Sequence, residues 1–182
     1  MKIILVRHGE SEGNVAHLIN DDPSRSVNLT ERGRAQAEAT ANALREVRFT
    51  HAYASEFPRA QQTAAILLRH HNVQLKIDAR LNERHSGLDG QHVDVFNNLV
   101  ADDPLHFKPA QGESFMEQMA RLRSFLDEAA SRHAEGIVLA VSHENPIVAV
   151  RALMNDEPEL EVHRHLDNCE WIEVPWPASR SI

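Results

Sequence analysis

The chain has 182 residues, 42% of them hydrophobic, a length that allows one sizeable core and favours one domain over two. Its 19 basic and 27 acidic residues give a formal net charge of -8, which argues against a general binder of nucleic acid or membrane surfaces. Any anionic ligand must therefore be held by individually placed arginines, and the single cysteine, Cys169, favours a reducing compartment.

The first predicted strand, residues 3–6, runs directly into the sequence Arg7-His8-Gly9-Glu10. A histidine at the carboxyl end of a strand can act as a nucleophile, and the adjacent arginine, Ser11 and Asn14 supply donors for an anion. Gly9 predicts a backbone that approaches a ligand closely. Taken alone, this short sequence is equally compatible with a solvated turn.

Helical patterns alternate with short apolar runs along the rest of the chain. Thr30 and Pro58 mark the starts of two helices, and Ser114 with Glu117 forms a capping-box pattern for a third that Gly136 ends. We predict helices at about 31–45, 58–69, 93–100, 115–135 and 146–154, and strands near 51–54, 75–77, 137–141 and 171–174. This alternation predicts an α/β fold, a three-layer α/β/α sandwich with a mostly parallel central sheet.

Three segments bring charged or nucleophilic side chains to one edge of the predicted sheet. His8 and His143 each follow a strand, and Arg59 lies in the first turn of a helix that follows another. Ligands of parallel sheets bind beyond the carboxyl ends of the strands, and helix N-termini favour anions. The sequence therefore predicts an anion site at this edge.

The order of the motifs resembles that of the histidine phosphatase superfamily, also called the phosphoglycerate mutase-like family. Six segments carry the resemblance: residues 5–11 with Asn14, which include the Arg-His-Gly motif, 29–33 with Gln36 and Ala37, Ser55 with 59–64, 81–87, 112–114, and 141–143. The resemblance implies a single phosphoglycerate mutase-like domain over 1–182. It also implies an irregular acid and specificity loop region at about 82–112.

The resemblance implies a role for each of six polar residues. His8 would attack phosphorus and carry a phosphohistidine intermediate, while Arg7, Arg59 and His143 would stabilise charge on the phosphoryl oxygens. Asn14 would add a neutral donor. Glu83 would protonate the leaving alkoxide and then deprotonate water, although the sequence without the resemblance favours a surface glutamate.

Four further residues or groups have open alternatives. Arg84 either contacts phosphate or carboxylate, or is solvated, and Ser11 is a supporting or substrate-facing hydroxyl. Glu144 stands where many family members have glycine, so it either points away from the phosphate or recognises a cationic or hydroxylated part of the substrate. Leu88, Phe96, Leu99 and Phe107 are assigned to core packing, with a role at the mouth of the site as the alternative.

Together these features predict a metal-independent phosphatase of small phosphorylated metabolites that needs no cofactor. The alternatives are a mutase, or a phosphate-sensing or protein-interaction module without turnover. We expect no nucleic-acid or membrane partner and a cytoplasmic location, because no apolar run reaches the length of a membrane span. The sequence leaves the oligomeric state open, a homodimer included.

Four histidines are interpreted as surface residues, because they lack the companions of a zinc motif: His70, His71, His163 and His165.

Overall fold

A computed structural model of the protein describes residues 1–177. Its sheet has five strands in the order β3-β2-β4-β1-β5. Their bounds are Lys2–Arg7 (β1), His51–Ala54 (β2), Leu75–Ile77 (β3), Ile137–Ser142 (β4) and Trp171–Pro175 (β5). Neighbouring strands are parallel except for β5, which pairs antiparallel with β1. The predicted mixed α/β fold with a mostly parallel sheet is confirmed.

The sheet separates two apolar clusters, and helices cover both of its faces. The helices are Glu12–Ala16 (α1), Glu31–Ala43 (α2), Pro58–Leu67 (α3), Val93–Val100 (α4), Phe115–Arg132 (α5), Glu144–Asn155 (α6) and Pro158–Glu161 (α7). Along β1, Ile3 and Leu5 pack in one cluster with α5 and α6, while Ile4 and Val6 pack in the other with α2 and α3. This period of two places helices on opposite faces and completes the three layers.

Local sequence signals locate most element ends closely. Thr30 caps α2, Pro58 begins α3, and Ser114 and Glu117 form the capping box of α5. Several boundaries differ from the prediction by one to three residues, and two of these differences involve residues that the prediction used as signals. Helix α6 begins at Glu144, because its Pro146 lies in the first turn, where a missing N–H costs no helical bond. Helix α5 ends at Arg132, so Gly136 instead belongs to the connection into β4.

Gly9 is required by a close approach to another part of the chain, which the prediction made for it did not include. A Cβ atom at Gly9 would lie 2.3 Å from the backbone oxygen of Gly33, and one at Gly33 would lie 2.0 Å from the backbone oxygen of Glu10. The two backbones are therefore in direct contact. This contact fixes the segment after β1 against the first turn of α2.

Gly33→Ala is expected to lower the free energy of unfolding by about 3 kcal/mol or more, because the new methyl group must displace backbone. Gly13→Ala is the matched control. Its nearest neighbour would be a Val27 methyl at 3.4 Å, so stability should be unchanged or rise by up to about 1 kcal/mol. Urea unfolding of both variants measures the difference, and equal midpoints would contradict the contact.

Within residues 1–177, no helix is both long and apolar enough to cross a membrane.

Candidate active site

A cavity of about 480 Å³ opens at the carboxyl ends of the parallel strands. His8 follows β1, His143 follows β4, and Arg59 lies in the first turn of α3 after β2. The predicted site residues lie around this cavity, and all of them except His143 line it: Arg7, His8, Ser11, Asn14, Arg59, Glu83, Arg84 and Glu144. The structure therefore brings the residues of the predicted site together at the predicted edge of the sheet.

His8 is buried and has one ring nitrogen directed at the other groups of the site. Its Nδ1 lies 2.7 Å from the backbone oxygen of Gly9, which fixes the proton on that nitrogen. Its Nε2 accepts a hydrogen bond from Arg59 Nε at 3.1 Å. Burial, reinforced by the charges of Arg59 and Arg7, holds the pKa of His8 well below its usual value. The ring is therefore neutral at neutral pH and Nε2 keeps its lone pair.

Arg59 joins the two histidines to a loop that the sequence analysis did not include in the site. Its guanidinium donates to the side chain of Asn20, to the Asn20 backbone oxygen at 3.1 Å, and to His143 Nδ1 at 3.2 Å. It also stacks over Phe57 at 4.4 Å. Burial lowers the pKa of Arg59 to about 10, so it is still a cation at neutral pH.

His143 lies behind Arg59 and is fully buried. Because Nδ1 accepts from Arg59, Nε2 carries the proton and donates to Ser55 Oγ at 2.8 Å. Burial, followed by the charge of Arg59, holds the pKa of His143 well below its usual value. His143 is therefore neutral here, and its N–H is directed to Ser55 rather than into the cavity. Ser55 also orders the turn, since its hydroxyl accepts the N–H of Phe57.

Glu144 lines the cavity, which excludes the predicted alternative that its side chain points away from the site. Its carboxylate lies 3.1 Å from Arg7 Nη1, pairs with His165 Nδ1 and accepts the N–H of Leu166. Arg7 thus offsets part of its charge. The interpretation of His165 as a surface residue is confirmed, and this mostly exposed side chain also lies on the rim of the cavity.

Glu83 lines the cavity, and this position contradicts the surface alternative. Its Oε1 accepts the backbone N–H of Arg84 at 2.8 Å. Burial raises the pKa of Glu83, the charge of Glu144 adds to the rise, and the Arg84 N–H and the Arg59 charge oppose it. A carboxyl group with these neighbours keeps its proton to a higher pH than an ordinary glutamate.

Arg84 is not solvated, which excludes one of its two predicted alternatives, whereas a phosphate contact through its remaining N–H groups stays a prediction. Its side chain is buried, and its guanidinium donates to the backbone oxygens of Glu113, Pro104 and Phe107. It also lies over the ring of Phe96 at 5.0 Å. Arg84 therefore holds together the irregular segment between 84 and 113.

Ser11 and Asn14 form a capping box at the start of α1. Asn14 Oδ1 accepts from the backbone and hydroxyl of Ser11, and from Nδ2 of Asn168 at 3.3 Å. Its own Nδ2 donates to no acceptor within residues 1–177 and stays available to a ligand. Asn168, which also donates to the His8 backbone oxygen, was missed because it lies in a polar segment without a motif.

Asp21 is a second group that the sequence analysis passed over. This buried carboxylate accepts the N–H and hydroxyl of Ser86, both at 2.7 Å, and the N–H of Gly87 at 2.9 Å. Asp21 thereby joins two loops. One contains Glu83, and the other contains Asn20, which accepts hydrogen bonds from Arg59. Its neighbours Asp22 and Pro23 suggested only a turn.

Across residues 1–177, no cluster of three or more His, Cys, Asp or Glu side chains has a metal-binding arrangement.

Comparison with known proteins agrees with this architecture. Residues 3–181 match the sequence profile of the histidine phosphatase superfamily (branch 1). The chain is 30% identical to a protein of Erwinia tasmaniensis named probable phosphoglycerate mutase GpmB, over 98% of this chain and 89% of that protein. It is 34% identical to the probable fructose-2,6-bisphosphatase TIGAR A of Danio rerio, over 72% of this chain but only 54% of that protein.

Solved structures show the same similarity in three dimensions. The alpha-ribazole phosphatase of Shigella flexneri superposes with a TM-score of 0.80 at 26% identity, covering 96% of this chain and 90% of that one. The profile match extends over nearly the whole sequence, and the two sequence relatives are both at least 30% identical to the chain. The chain therefore belongs to the histidine phosphatase superfamily.

Proposed function

We propose that the protein hydrolyses phosphomonoesters of small metabolites through a phosphohistidine intermediate on His8. The observation that supports this best is the state of the His8 ring. Its Nδ1 proton is bonded to Gly9, and its unprotonated Nε2 lies against Arg59 in a cavity also lined by Arg7 and Glu83. A nucleophile, cations and a carboxyl acid therefore share one cavity.

In the first step, the Nε2 lone pair forms a bond to phosphorus as the bond from phosphorus to the ester oxygen breaks. Arg7 and Arg59 bind the phosphoryl oxygens, and Arg59 exchanges its bond to His8 for one to an oxygen. Protonated Glu83 gives its proton to the departing oxygen. The raised pKa of Glu83 favours this role because more of the acid form is present at neutral pH.

In the second step, the Glu83 carboxylate takes a proton from water as the water oxygen bonds to phosphorus. The bond between phosphorus and Nε2 breaks, and the lone pair returns to His8. Glu83 is thereby protonated again and the cycle closes. His143 contributes by fixing Arg59 through its Nδ1, so that the guanidinium stays directed at the phosphoryl group.

A mutase is the second candidate, and the relatives named probable phosphoglycerate mutase favour it. Both functions begin with the same phosphohistidine, and they differ in whether water or a second substrate receives the phosphoryl group. The sensing module is less well supported, since a module that only binds phosphate has no need of the acid Glu83.

Incubation of the full chain with p-nitrophenyl phosphate and EDTA tests the proposal. We expect continuous release of both nitrophenol and phosphate, unchanged by the chelator. Loss of activity with EDTA would contradict the metal-independent mechanism. With phosphoglycerate as substrate, isomerisation faster than hydrolysis would establish the mutase, and binding without turnover of any ester would establish the sensor.

A further inference from the structure

The cavity has an apolar wall, formed by Leu18, Ile19, Val93 and Phe96. Two segments build it by backbone pairing: Ile19 donates its N–H to Gln91 at 2.8 Å, and Val93 donates to His17 at 3.0 Å. Helix α4 has no buried residue, so Phe96 and Val93 do not belong to the core of the protein. This corrects the assignment of Phe96 to core packing.

The cavity also has an acidic wall, formed by Glu144 and Asp167. Asp167 is largely exposed, and its Oδ1 lies 3.6 Å from His165 Nε2. His165 is shared between these two carboxylates, because its Nδ1 pairs with Glu144. An anion that approaches this wall meets two carboxylates and one histidine.

The cations of the cavity leave none for a second anionic group. Three arginines and no lysine line it within the described part of the chain. Arg7 and Arg59 are the arginines beside the nucleophile, and the proposed reaction uses both on one phosphoryl group. Arg84, the third, is bound to three backbone carbonyls. A carboxylate or second phosphate on the substrate would therefore lie near Glu144 or Asp167 with no arginine or lysine left to offset its charge.

From these contacts we infer the substrate class: a phosphomonoester whose leaving group carries no second anionic group and presents a nonpolar surface to the apolar wall. This inference rests on the proposed phosphatase function. It favours neutral or cationic leaving groups over phosphorylated acids and bisphosphates. The apolar wall supplies affinity, and the acidic wall supplies discrimination by charge.

Three aryl phosphates with the same phenol leaving group but different remote charge test the inference: 4-ethylphenyl phosphate, phosphotyramine and 3-(4-phosphonooxyphenyl)propionate. We expect kcat/KM for the neutral ester to exceed that for the carboxylate by about tenfold or more. The cationic ester should be hydrolysed at least as well as the neutral one. A smaller preference against the carboxylate, or a preference for it, overturns the inference.

Binding measured by calorimetry on His8→Asn separates this result from failure of the proposed reaction. If no ester is hydrolysed, the proposed function fails, but the order of affinities for the three esters still decides the inference. The carboxylate ester should bind about tenfold more weakly than the neutral one. Equal affinities overturn the inference even if hydrolysis is observed.

Variants test each wall separately. Asp167→Asn combined with Glu144→Gln should reduce discrimination against the carboxylate ester by about threefold or more, since two negative charges are removed.

Phe96→Ala should lower kcat/KM for 4-ethylphenyl phosphate by about fivefold more than for methyl phosphate, which has almost no nonpolar surface to lose. Leu99→Ala is the matched control, on the same helix but outside the cavity lining. If Phe96→Ala and Leu99→Ala show the same ratio of kcat/KM for the two esters, the apolar wall does not contribute to substrate selection and this part of the inference is wrong.

Discussion

His8→Asn is expected to lower kcat for phosphomonoester hydrolysis by about ten-thousandfold or more, because it removes the ring nitrogen that the proposed reaction uses as the nucleophile. The asparagine amide can donate to the Gly9 oxygen in place of Nδ1, so the local backbone is preserved. Phosphate should still bind, because Arg7 and Arg59 are unchanged. The measurement is steady-state kinetics with p-nitrophenyl phosphate, together with phosphate affinity by calorimetry.

His70→Asn is the matched control, since His70 is exposed at the end of the segment that follows α3. Its kinetic constants should stay within about twofold of the wild type. If His8→Asn keeps a tenth or more of the wild-type kcat, its activation free energy has risen by no more than about 1.4 kcal/mol. Such a result would place the nucleophile elsewhere.

Sequence patterns predicted the parts of the fold that depend on neighbouring residues. Thr30, Pro58 and Ser114 mark helix starts through contacts within one turn, and the strands follow from short apolar runs. Because parallel strands share one carboxyl edge, the same patterns also predicted that His8, Arg59 and His143 converge. These predictions needed no knowledge of long-range contacts.

Contacts between distant segments account for the errors. Arg84 reaches carbonyls in an irregular segment whose path no motif reveals, and Gly9 is explained only by the position of Gly33. Asn20 and Asp21 looked like turn residues, yet they hold Arg59 and the Glu83 loop. Polar side chains form such bonds only after the fold brings their partners together, so local periodicity contains no signal for them.

Glu83→Gln is expected to lower kcat/KM for an alkyl phosphate by about a hundredfold or more, because the alkoxide then leaves without a proton. For p-nitrophenyl phosphate the loss should be less than about tenfold, since nitrophenolate is a good leaving group that needs little protonation. Glu159→Gln, an exposed position on α7, is the control and should leave both constants unchanged. Equal losses with both esters would show that Glu83 does not act as the acid.

The pH dependence gives an independent test of the same role. Glu83 is active as an acid only while protonated, so kcat/KM for the alkyl ester should fall as the pH rises through the pKa of Glu83. Burial raises that pKa, and the decline should therefore begin at a higher pH than for an ordinary glutamate. In Glu83→Gln nothing remains at this position to lose a proton, so this decline should disappear and leave only the loss expected near the Arg59 pKa of about 10. If the decline persists in the variant, another group titrates and Glu83 is not the acid.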